Sequence, residues 1–309
     1  MTINTNKETV LILGGSGLLG YHCSKVFSST YNVVSCWSTR ATDDECSEQI
    51  DVLKNDGRIY TLLEKYKPEI IINTIGCVTV DGCENNTDVA KSLNSTFVNI
   101  LVDAIHESDL INSHLIQIST DSVYGNNKSK LNINPWKESD SLSPLSVYAK
   151  TKLDGENEAK KHVGPYSILR TAFYGINPYS TKSLLWWIIN NARNGNPMDG
   201  WENIFFSPVS ARTLAETIKN MVENKIVGVY NIGSIDACNK YDFVDAVCSN
   251  LNIPVELNRV TVEKTSCETI RPNYSVLDCA KLQDALSWEV EWRNDLQNYL
   301  KALPPFPEK

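Results

Sequence analysis

Residues 10–20 read VLILGGSGLLG, an apolar run that ends in glycines and is followed by a helical pattern. The run Val10–Leu13 predicts a buried β-strand, and the pattern over Leu18–Ser28 predicts a helix. The glycines between them allow a tight turn and let the backbone approach a bound phosphate closely. Because the first N–H groups of a helix have no partners within it, they would face that phosphate. The stretch therefore predicts a strand–loop–helix unit that binds a dinucleotide.

The alternation of strand and helix continues through the first half of the chain. Further buried strands are predicted at Asn32–Cys36, Ile70–Thr74, Leu115–Ser119 and Tyr166–Arg170, and further helices at Gly57–Tyr66, Thr87–Glu107 and Pro144–His162. Each gap between strands is long enough for a crossover helix, a spacing typical of βαβ units. We therefore predict an α/β fold with a doubly wound parallel sheet of the Rossmann type.

The pattern loosens after Arg170, where prolines and clustered aromatic residues interrupt it. We predict an NAD(P)-binding domain over residues 1–170 and, over residues 171–309, mainly a smaller α/β lobe that binds the substrate. A β-rich run at 227–232 predicts one return of this second part to the sheet.

Composition argues against several classes of partner. With 309 residues, 42% of them hydrophobic and 21% charged, the chain is typical of soluble globular proteins. A net charge of −8 argues against nucleic acid, and no apolar run approaches the roughly 18 residues of a membrane span. The first residues, MTINTNKET, lack the pattern of a signal peptide, so we expect a cytoplasmic protein. A homodimer is a further possibility that the sequence leaves open. The cysteines include no C-x-x-C pair and the histidines are not spaced as metal ligands, so no metal site is expected.

The glycine-rich loop and the end of the second strand predict the cofactor contacts. Residues expected to contact the dinucleotide around the loop are Gly14, Ser16, Gly17, Leu18, Leu19 and Gly20. The second strand leads into SCWSTR at 35–40, with no carboxylate before Asp43 to bind a ribose 2′-hydroxyl. Arg40, with Ser38 and Thr39, could instead hold a 2′-phosphate through its forked donors. NADP(H) is therefore the favoured cofactor, with NAD(H) the alternative and a solvated Arg40 the competing interpretation.

The segment SPLSVYAKTK at 143–152 predicts a helix start, with Ser143 as its cap and Pro144 at its first position. Tyr148 and Lys152, four residues apart, would then share one face. A phenol with a pKa of about 10 is a weak acid–base group at neutral pH, and a nearby ammonium would lower that pKa. The same lysine could hydrogen-bond the ribose of a nicotinamide cofactor. Taken alone, the spacing is also compatible with a solvated Tyr–Lys pair.

A hydroxyl-rich segment, ISTDSVYG at 118–125, follows the fourth predicted strand. Because ligands of open α/β folds bind at the carboxyl ends of the strands, a hydroxyl from Ser119 or Thr120 would lie beside the reacting groups. That hydroxyl could hold a carbonyl oxygen of the substrate while Tyr148 gives or takes the proton.

Together these motifs resemble those of the extended short-chain dehydrogenases that act on nucleotide sugars. The segments that carry this resemblance are GGSGLLG at 14–20, INTIG at 72–76, STDSVYG at 119–125 and YAKTK at 148–152. The segments similar to those of dTDP-4-dehydrorhamnose reductases are TVDGCE at 79–84, LRT at 169–171 and IRPNYSVLD at 270–278. The resemblance covers about residues 8–300, and the IRPNYSVLD segment is its most specific element.

The resemblance implies a reduction in which hydride passes from NADPH to C4 of a dTDP-4-keto-6-deoxyhexose. It makes Tyr148 the proton donor and Lys152 the ribose ligand, while Thr120, with Asp121 beside it, holds the oxygen. The further cofactor contacts that it implies are Asp51 and Val52 at the adenine edge and Ile75, Gly76 and Cys77 at a strand end. The residues expected to face the nucleotide-sugar substrate are Thr79, Ser122, Phe173, Trp201 and Arg271. Phe173 stands where the reductases often carry tryptophan, while Trp201 is also compatible with ordinary packing and Arg271 with a salt bridge.

Relatives of the reductases leave two alternatives open. The 4,6-dehydratases carry T-D-E where this chain has TDS at 120–122, and without that glutamate a dehydration is not expected. A nucleotide-sugar epimerase is the first alternative, although epimerases usually show an acidic residue after the second strand. The second is a non-catalytic NADP-binding subunit, because the regulatory beta subunit of methionine adenosyltransferase resembles the same reductases. It shares the arginine after the second strand and the late R-P-x-N…L-D-C-x-K-L pattern, here Arg271–Leu282.

Overall fold

The computed structural model describes residues 7–54, 56–126, 134–261 and 271–303. The strands are β1 (Thr9–Leu13), β2 (Asn32–Trp37), β3 (Ser47–Gln49), β4 (Ile70–Asn73), β5 (His114–Ile118), β6 (Tyr166–Tyr174), β7 (Met198–Trp201), β8 (Phe205–Phe206), β9 (Pro208–Ser210), β10 (Gly228–Ile232), β11 (Cys238–Asn239), β12 (Leu257–Val260) and β13 (Tyr274–Ser275). The α-helices are α1 (Leu18–Phe27), α2 (Arg58–Tyr66), α3 (Val80–Asn85), α4 (Thr87–Lys91), α5 (Phe97–Glu107), α6 (Val147–Ala159), α7 (Leu184–Arg193), α8 (Ala211–Glu223), α9 (Lys240–Asn250), α10 (Ala280–Leu286) and α11 (Trp292–Lys301). A π-helical turn (Ser92–Thr96) joins α4 to α5, and a 3₁₀-helix spans Asp121–Tyr124.

In the described part of the chain, seven parallel strands form the central sheet in the order β3-β2-β1-β4-β5-β6-β10. An eighth strand, β9, pairs with the last residues of β6. The strand order reverses between β1 and β4, and ligands of doubly wound folds bind at the carboxyl ends of the strands near such a reversal. The predicted α/β fold class is confirmed, and the reversal gives the expected position of the site.

Helices cover both faces of the sheet, because successive side chains of a strand point to opposite faces. Val10 and Ile12 pack with side chains of α1 and α8 on one face. Leu11 and Leu13 pack with side chains of α2 and α5 on the other. This arrangement explains why the first strand is apolar throughout rather than alternating.

The second part of the chain builds a separate apolar core around Tyr174, Phe243 and Trp292. It also forms two small sheets, β11-β8-β13 and β12-β7. β10 nevertheless lies in the central sheet beside β6, and β6 itself runs across the predicted boundary at residue 170. The division into a cofactor domain and a substrate lobe stays a proposal.

Two helices differ from the sequence-based prediction. The helix expected over residues 87–107 is interrupted by the π-helical turn. The helix expected from Pro144 begins at Val147, and its cap is Ser146 rather than Ser143. Ser146 has extended backbone angles, and its side chain accepts a hydrogen bond from the Ala149 N–H at 3.2 Å. The cap therefore lies three residues later than predicted, which makes Tyr148 the second residue of α6.

Three properties of the described ranges bear on the sequence-based expectations. None of their helices is both long and apolar enough to cross a membrane. The eight cysteines that they contain are free thiols. These ranges also hold no group of three or more His, Cys, Asp or Glu side chains arranged around a metal position.

Candidate active site

Glycines set the shape of the loop between β1 and α1, which is the predicted phosphate-binding segment. Gly14 has a φ of +90°, a left-handed conformation that favours glycine. Gly20 has no room for a side chain, because a Cβ there would lie 2.2 Å from the Gly14 carbonyl oxygen. The N–H groups of Gly14 and Gly15 donate to the Cys36 carbonyl oxygen at 3.1 and 2.6 Å, which anchors the loop to β2. No side chain caps α1 at Gly17, so none competes with an anion for the first N–H groups of the helix.

Asn177, which the sequence analysis missed, lies against the same loop. Its Nδ2 donates to the Ser16 carbonyl oxygen at 3.0 Å. Its Oδ1 is a buried acceptor without a hydrogen-bond partner in the described part of the chain. A buried polar atom of this kind indicates a contact with a ligand or a water molecule. The loop after β6 thus adds a polar group beside the predicted contact Ser16, and no local pattern around Asn177 signals it. For Leu18 and Leu19, at the start of α1, the cofactor contact stays a prediction.

Arg40 is exposed beyond the end of β2, next to Ser38 and Thr39. Its guanidinium donates a hydrogen bond to the carbonyl oxygen of Tyr179. The end of β2 therefore meets the loop after β6, and the exposed guanidinium lies at the edge where this fold receives the adenosine ribose. Its contact with a 2′-phosphate stays a prediction.

Asp51 and Val52 follow β3 and line a shallow depression together with Phe97 and Ile100. The Asp51 carboxylate accepts a hydrogen bond from the Leu53 N–H at 3.2 Å. Their contact with the edge of an adenine stays a prediction.

Tyr148 and Thr120 bring a phenol and a hydroxyl together at the carboxyl edge of the sheet. Tyr148 lies in the first turn of α6, and Thr120 follows the end of β5. Burial raises the pKa of Tyr148 above its usual value, and the charge of Asp121 adds to this rise, whereas the hydrogen bond with Thr120 opposes it. Tyr148 is therefore neutral at physiological pH and has a proton to donate.

Lys152 lies one turn further along α6 and is buried. Its ammonium donates to the carbonyl oxygen of Ile118, at the end of β5. The same nitrogen is 3.8 Å from the position that a Cβ of Gly76 would take, just beyond β4. Burial lowers the pKa of Lys152 to about 8, and the charge of Glu156 opposes that shift. A cation thus lies at the ends of two neighbouring central strands.

The expected lowering of the Tyr148 pKa is wrong, because burial and the charge of Asp121 raise it. The spacing predicted that the ammonium would lower the pKa of the phenol, but that pKa is raised. The ammonium is bonded to the Ile118 carbonyl oxygen instead. The phenol loses solvation and faces the carboxylate of Asp121, and both effects favour its protonated form.

The structure distinguishes between the two hydroxyls proposed to hold the substrate oxygen. Ser119 donates to Glu156 at 2.6 Å. Glu156 in turn forms a buried, two-point ion pair with Arg170 at 2.9 and 2.7 Å. This network fixes α6 to β5 and β6, and the Ser119 hydroxyl is part of it. Thr120 is therefore the hydroxyl that contacts Tyr148.

Asn94, in the π-helical turn, connects the end of β4 to α6. Ile75, Gly76 and Cys77 follow β4, as the predicted cofactor contacts require. The Cys77 N–H donates to the Asn94 side chain at 2.9 Å, and the same side chain donates to the Cys77 carbonyl oxygen at 3.1 Å and to the Thr151 hydroxyl at 2.9 Å. π-Helical turns often occur at functional sites. The sequence analysis missed Asn94, whose one local signal is a polar residue inside an apolar helical pattern.

Asp121, the first residue of the 3₁₀-helix after β5, links this end of the sheet to the C-terminal part of the chain. Its carboxylate accepts hydrogen bonds from the hydroxyls of Thr120 at 3.0 Å and Ser122 at 3.2 Å. It also accepts one from Ser275, in the late motif that resembles the reductases, and burial raises its pKa. The predicted residues Thr120, Asp121 and Ser122 are thus in mutual contact, and Ser275 is an addition that only the fold reveals.

Lys240, the first residue of α9, is a second addition. Its ammonium lies 3.3 Å from the centre of the Phe206 ring and faces Asp121. Burial lowers the pKa of Lys240 to about 8, against the opposing charge of Asp121. A lysine at a helix start carries no signal in the sequence, since its partner lies more than a hundred residues earlier.

The other predicted substrate residues are more scattered. Thr79 is exposed at the N-cap of α3. Phe173 packs partly buried against the core under the sheet, and Trp201 ends β7 half-buried. Arg271 forms an ion pair with Asp81 at 2.7 Å, so the salt bridge weighed in the sequence analysis is the contact observed. The pair joins the late motif to the T-x-V-D segment.

Known proteins are similar to this chain over nearly its whole length. The methionine adenosyltransferase 2 subunit beta of Rattus norvegicus is 29% identical over 292 residues, which cover 91% of this chain and 83% of that protein. A dTDP-4-dehydrorhamnose reductase crystal structure from Clostridium acetobutylicum has a TM-score of 0.80 and 26% identity, and covers 95% of this chain and 98% of that one. The dTDP-4-dehydrorhamnose reductase of Bacillus anthracis, in complex with NADP, has the same fold, with a TM-score of 0.81 at 20% identity over 96% of this chain and 100% of that one.

The resemblance to the reductases inferred from the motifs is thereby confirmed. The family model described as RmlD substrate binding domain matches residues 8–304, which include every element from β1 to α11. Because this match covers nearly the whole sequence, the chain belongs to the RmlD substrate binding domain family.

Proposed function

We propose that this protein uses NADPH to reduce the 4-keto group of a nucleotide-linked 6-deoxyhexose. The observation that carries the proposal is the contact between Tyr148 and Thr120. It brings a protonated phenol and a hydroxyl together at the edge where this fold receives ligands, next to the Lys152 ammonium. The similarity to dTDP-4-dehydrorhamnose reductases supports the same reaction class.

The proton chemistry follows from these contacts. A nicotinamide cofactor bound at the glycine-rich loop supplies the hydride. Tyr148 donates its proton to the substrate oxygen as negative charge develops there, and its raised pKa keeps it protonated until that moment. The Thr120 hydroxyl, held by Asp121 at 3.0 Å, turns to donate a hydrogen bond to the same oxygen. Lys152 holds the ribose hydroxyls and stays charged below a pH of about 8.

NADP(H) is the proposed cofactor. The exposed Arg40 guanidinium suits the two negative charges of a 2′-phosphate, and no carboxylate stands between the end of β2 and Asp43 to repel them. The phosphates would bind at the loop that contains Gly14 and Gly20, where no side chain blocks the backbone. Beside this loop lies the Asn177 Oδ1 atom, a buried acceptor without a partner in the described part of the chain. The Bacillus anthracis reductase of the same fold was crystallised with NADP. NAD(H) is the less favoured alternative.

The experiment is a panel of 4-keto sugars linked to dTDP, UDP and GDP, followed by the loss of NADPH absorbance. We expect rapid oxidation of NADPH with at least one sugar of the panel and slower turnover with NADH. NADPH binding is measured in parallel by titration. Tight NADPH binding without turnover of any sugar would contradict the proposal.

A second candidate function is supported by the similarity to methionine adenosyltransferase 2 subunit beta. In that case the chain binds NADP and acts as a subunit of a larger enzyme. Co-expression with a methionine adenosyltransferase catalytic chain, followed by size-exclusion chromatography, tests this role. A stable complex together with silence toward the whole sugar panel would favour it over the reductase.

A further inference from the structure

Two cysteines, Cys77 and Cys83, lie together beside the proposed catalytic groups. Cys77 follows the end of β4, and Cys83 lies in α3. The Cys83 thiol donates to the Cys77 carbonyl oxygen at 3.4 Å. Burial and the neighbouring Cys77 side chain both raise the pKa of the Cys83 thiol. The proximity of these two cysteines has no part in the reduction proposed above.

The backbone holds both cysteines in place. The Asn94 side chain pairs with the N–H and the carbonyl oxygen of Cys77 at 2.9 and 3.1 Å. The Cys83 N–H donates to the Thr79 carbonyl oxygen at 3.0 Å, in the first turn of α3. Because both backbone segments are anchored, the Cys83 thiol stays next to Cys77.

The two thiols differ in access and in electrostatics. Cys77 is partly exposed, whereas Cys83 is fully buried. Burial raises the pKa of Cys83 to about 12, and the charge of Lys152 opposes that rise. Cys77 is therefore the thiol that an oxidant in solution meets first, and Cys83 is positioned to react with it next.

We propose that Cys77 and Cys83 form a reversible disulfide that switches the active site off. With hydrogen peroxide as oxidant, the Cys77 thiolate attacks the O–O bond, which gives a sulfenic acid and one water after protonation. The Cys83 thiol then attacks that sulfur, the S–S bond forms, and the thiol proton leaves with the sulfenic hydroxyl as a second water. Overall, two thiols lose two electrons and two protons, and the peroxide becomes two waters.

The position of α3 explains why this bond would affect the site. Glu84 of α3 accepts a hydrogen bond from the Val147 N–H at 2.8 Å, directly before Tyr148. We expect an S–S bond of about 2 Å to tie the end of β4 to α3 and to draw the two together. A displacement of about 1 Å in a catalytic arrangement costs up to about a hundredfold in rate. Oxidation therefore shifts both the cofactor-facing strand end and the helix that carries Tyr148.

The test uses the full chain treated with hydrogen peroxide, which is then removed with catalase. We expect the intact mass to fall by two hydrogens, peptide mapping to find a Cys77–Cys83 disulfide, and turnover to drop at least about tenfold. Dithiothreitol should restore both mass and turnover. The variant Cys83→Ser should keep its basal turnover and resist peroxide. The matched control Cys46→Ser, which alters a partly exposed thiol elsewhere, should remain as sensitive as the wild type.

Oxidation of Cys77 alone to a sulfinic acid would overturn the proposal. So would a Cys77–Cys83 disulfide that changes neither turnover nor NADPH affinity. The turnover readout rests on the proposed reductase function, but the disulfide does not. If no sugar of the panel is reduced, NADPH affinity replaces turnover. Weaker NADPH binding by the oxidised protein, reversed by dithiothreitol, would then support the switch even though the reductase proposal had failed, and unchanged affinity would refute it.

Discussion

Tyr148 contacts Thr120 and faces Asp121, and burial keeps its phenol protonated. Tyr148→Phe should therefore lower turnover by about 10²-fold or more, the usual contribution of a general acid. NADPH affinity should stay close to that of the wild type, because the phenylalanine fills the same space. Steady-state kinetics and a fluorescence titration measure the two effects. Wild-type turnover in this variant would remove Tyr148 from the mechanism.

A second single residue, Arg40, provides a test of cofactor choice. Arg40→Ala should weaken NADPH binding by about tenfold to a hundredfold, the range of a lost charge-assisted contact. NADH binding should change little, because NADH lacks the 2′-phosphate. Comparing NADPH with NADH also controls for the loss of the hydrogen bond from Arg40 to Tyr179, because that loss would weaken the binding of both cofactors. Equal losses for NADPH and NADH would show that Arg40 does not bind the 2′-phosphate.

Among the elements, α6 carries Tyr148 and Lys152, and a buried ion pair between Glu156 and Arg170 attaches it to the sheet. Glu156→Gln leaves the Arg170 cation buried without its counter-charge, which should lower the free energy of unfolding by about 3–5 kcal/mol. Urea unfolding followed by circular dichroism measures this change.

Glu158→Gln is the matched control on the same helix. Glu158 pairs with Lys161, whose side chain is 58% exposed, so its loss should cost less than about 1 kcal/mol. Equal destabilisation by the two substitutions would mean that the buried pair does not hold α6 more firmly than a surface pair.

At the scale of the whole molecule, Lys152 couples stability to pH. Its pKa is about 8 in the folded protein, whereas the unfolded chain keeps this proton up to about pH 10.4. Between these values the unfolded state binds more protons, so the contribution of Lys152 to the free energy of unfolding rises with pH. Below pH 8 both states are protonated, and burial of the charge is a constant penalty.

Unfolding curves of the wild type and Lys152→Met without cofactor, from about pH 7 to about pH 10, test this coupling. The wild type should gain stability relative to the variant as pH rises through this window. Other titrating groups are common to both proteins, so their effects cancel in the difference. A difference that stays constant with pH would contradict the lowered pKa of Lys152.

Short sequence patterns are sufficient to predict the elements that depend on neighbouring residues. The strand–glycine–helix unit at Val10–Gly20 and the spacing of Tyr148 and Lys152 are local features, because strand and helix periods follow from neighbouring residues. Even here the cap of α6 was misplaced, since Ser143 and Ser146 are equally good caps as residue types.

Which groups meet, and which of them hold their protons, depends on how distant segments pack in the folded chain. The hydrogen bond of Ser275 with Asp121 and the effect of the Lys240 charge on that carboxylate join segments far apart in the chain. Ser119 and Thr120 are adjacent hydroxyl residues, yet only the packing of α6 against the sheet assigns one to Glu156 and the other to Tyr148. Burial and long-range contacts determine the pKa shifts and the hydrogen-bond partners of these residues. Neither burial nor such contacts exist before the chain has folded.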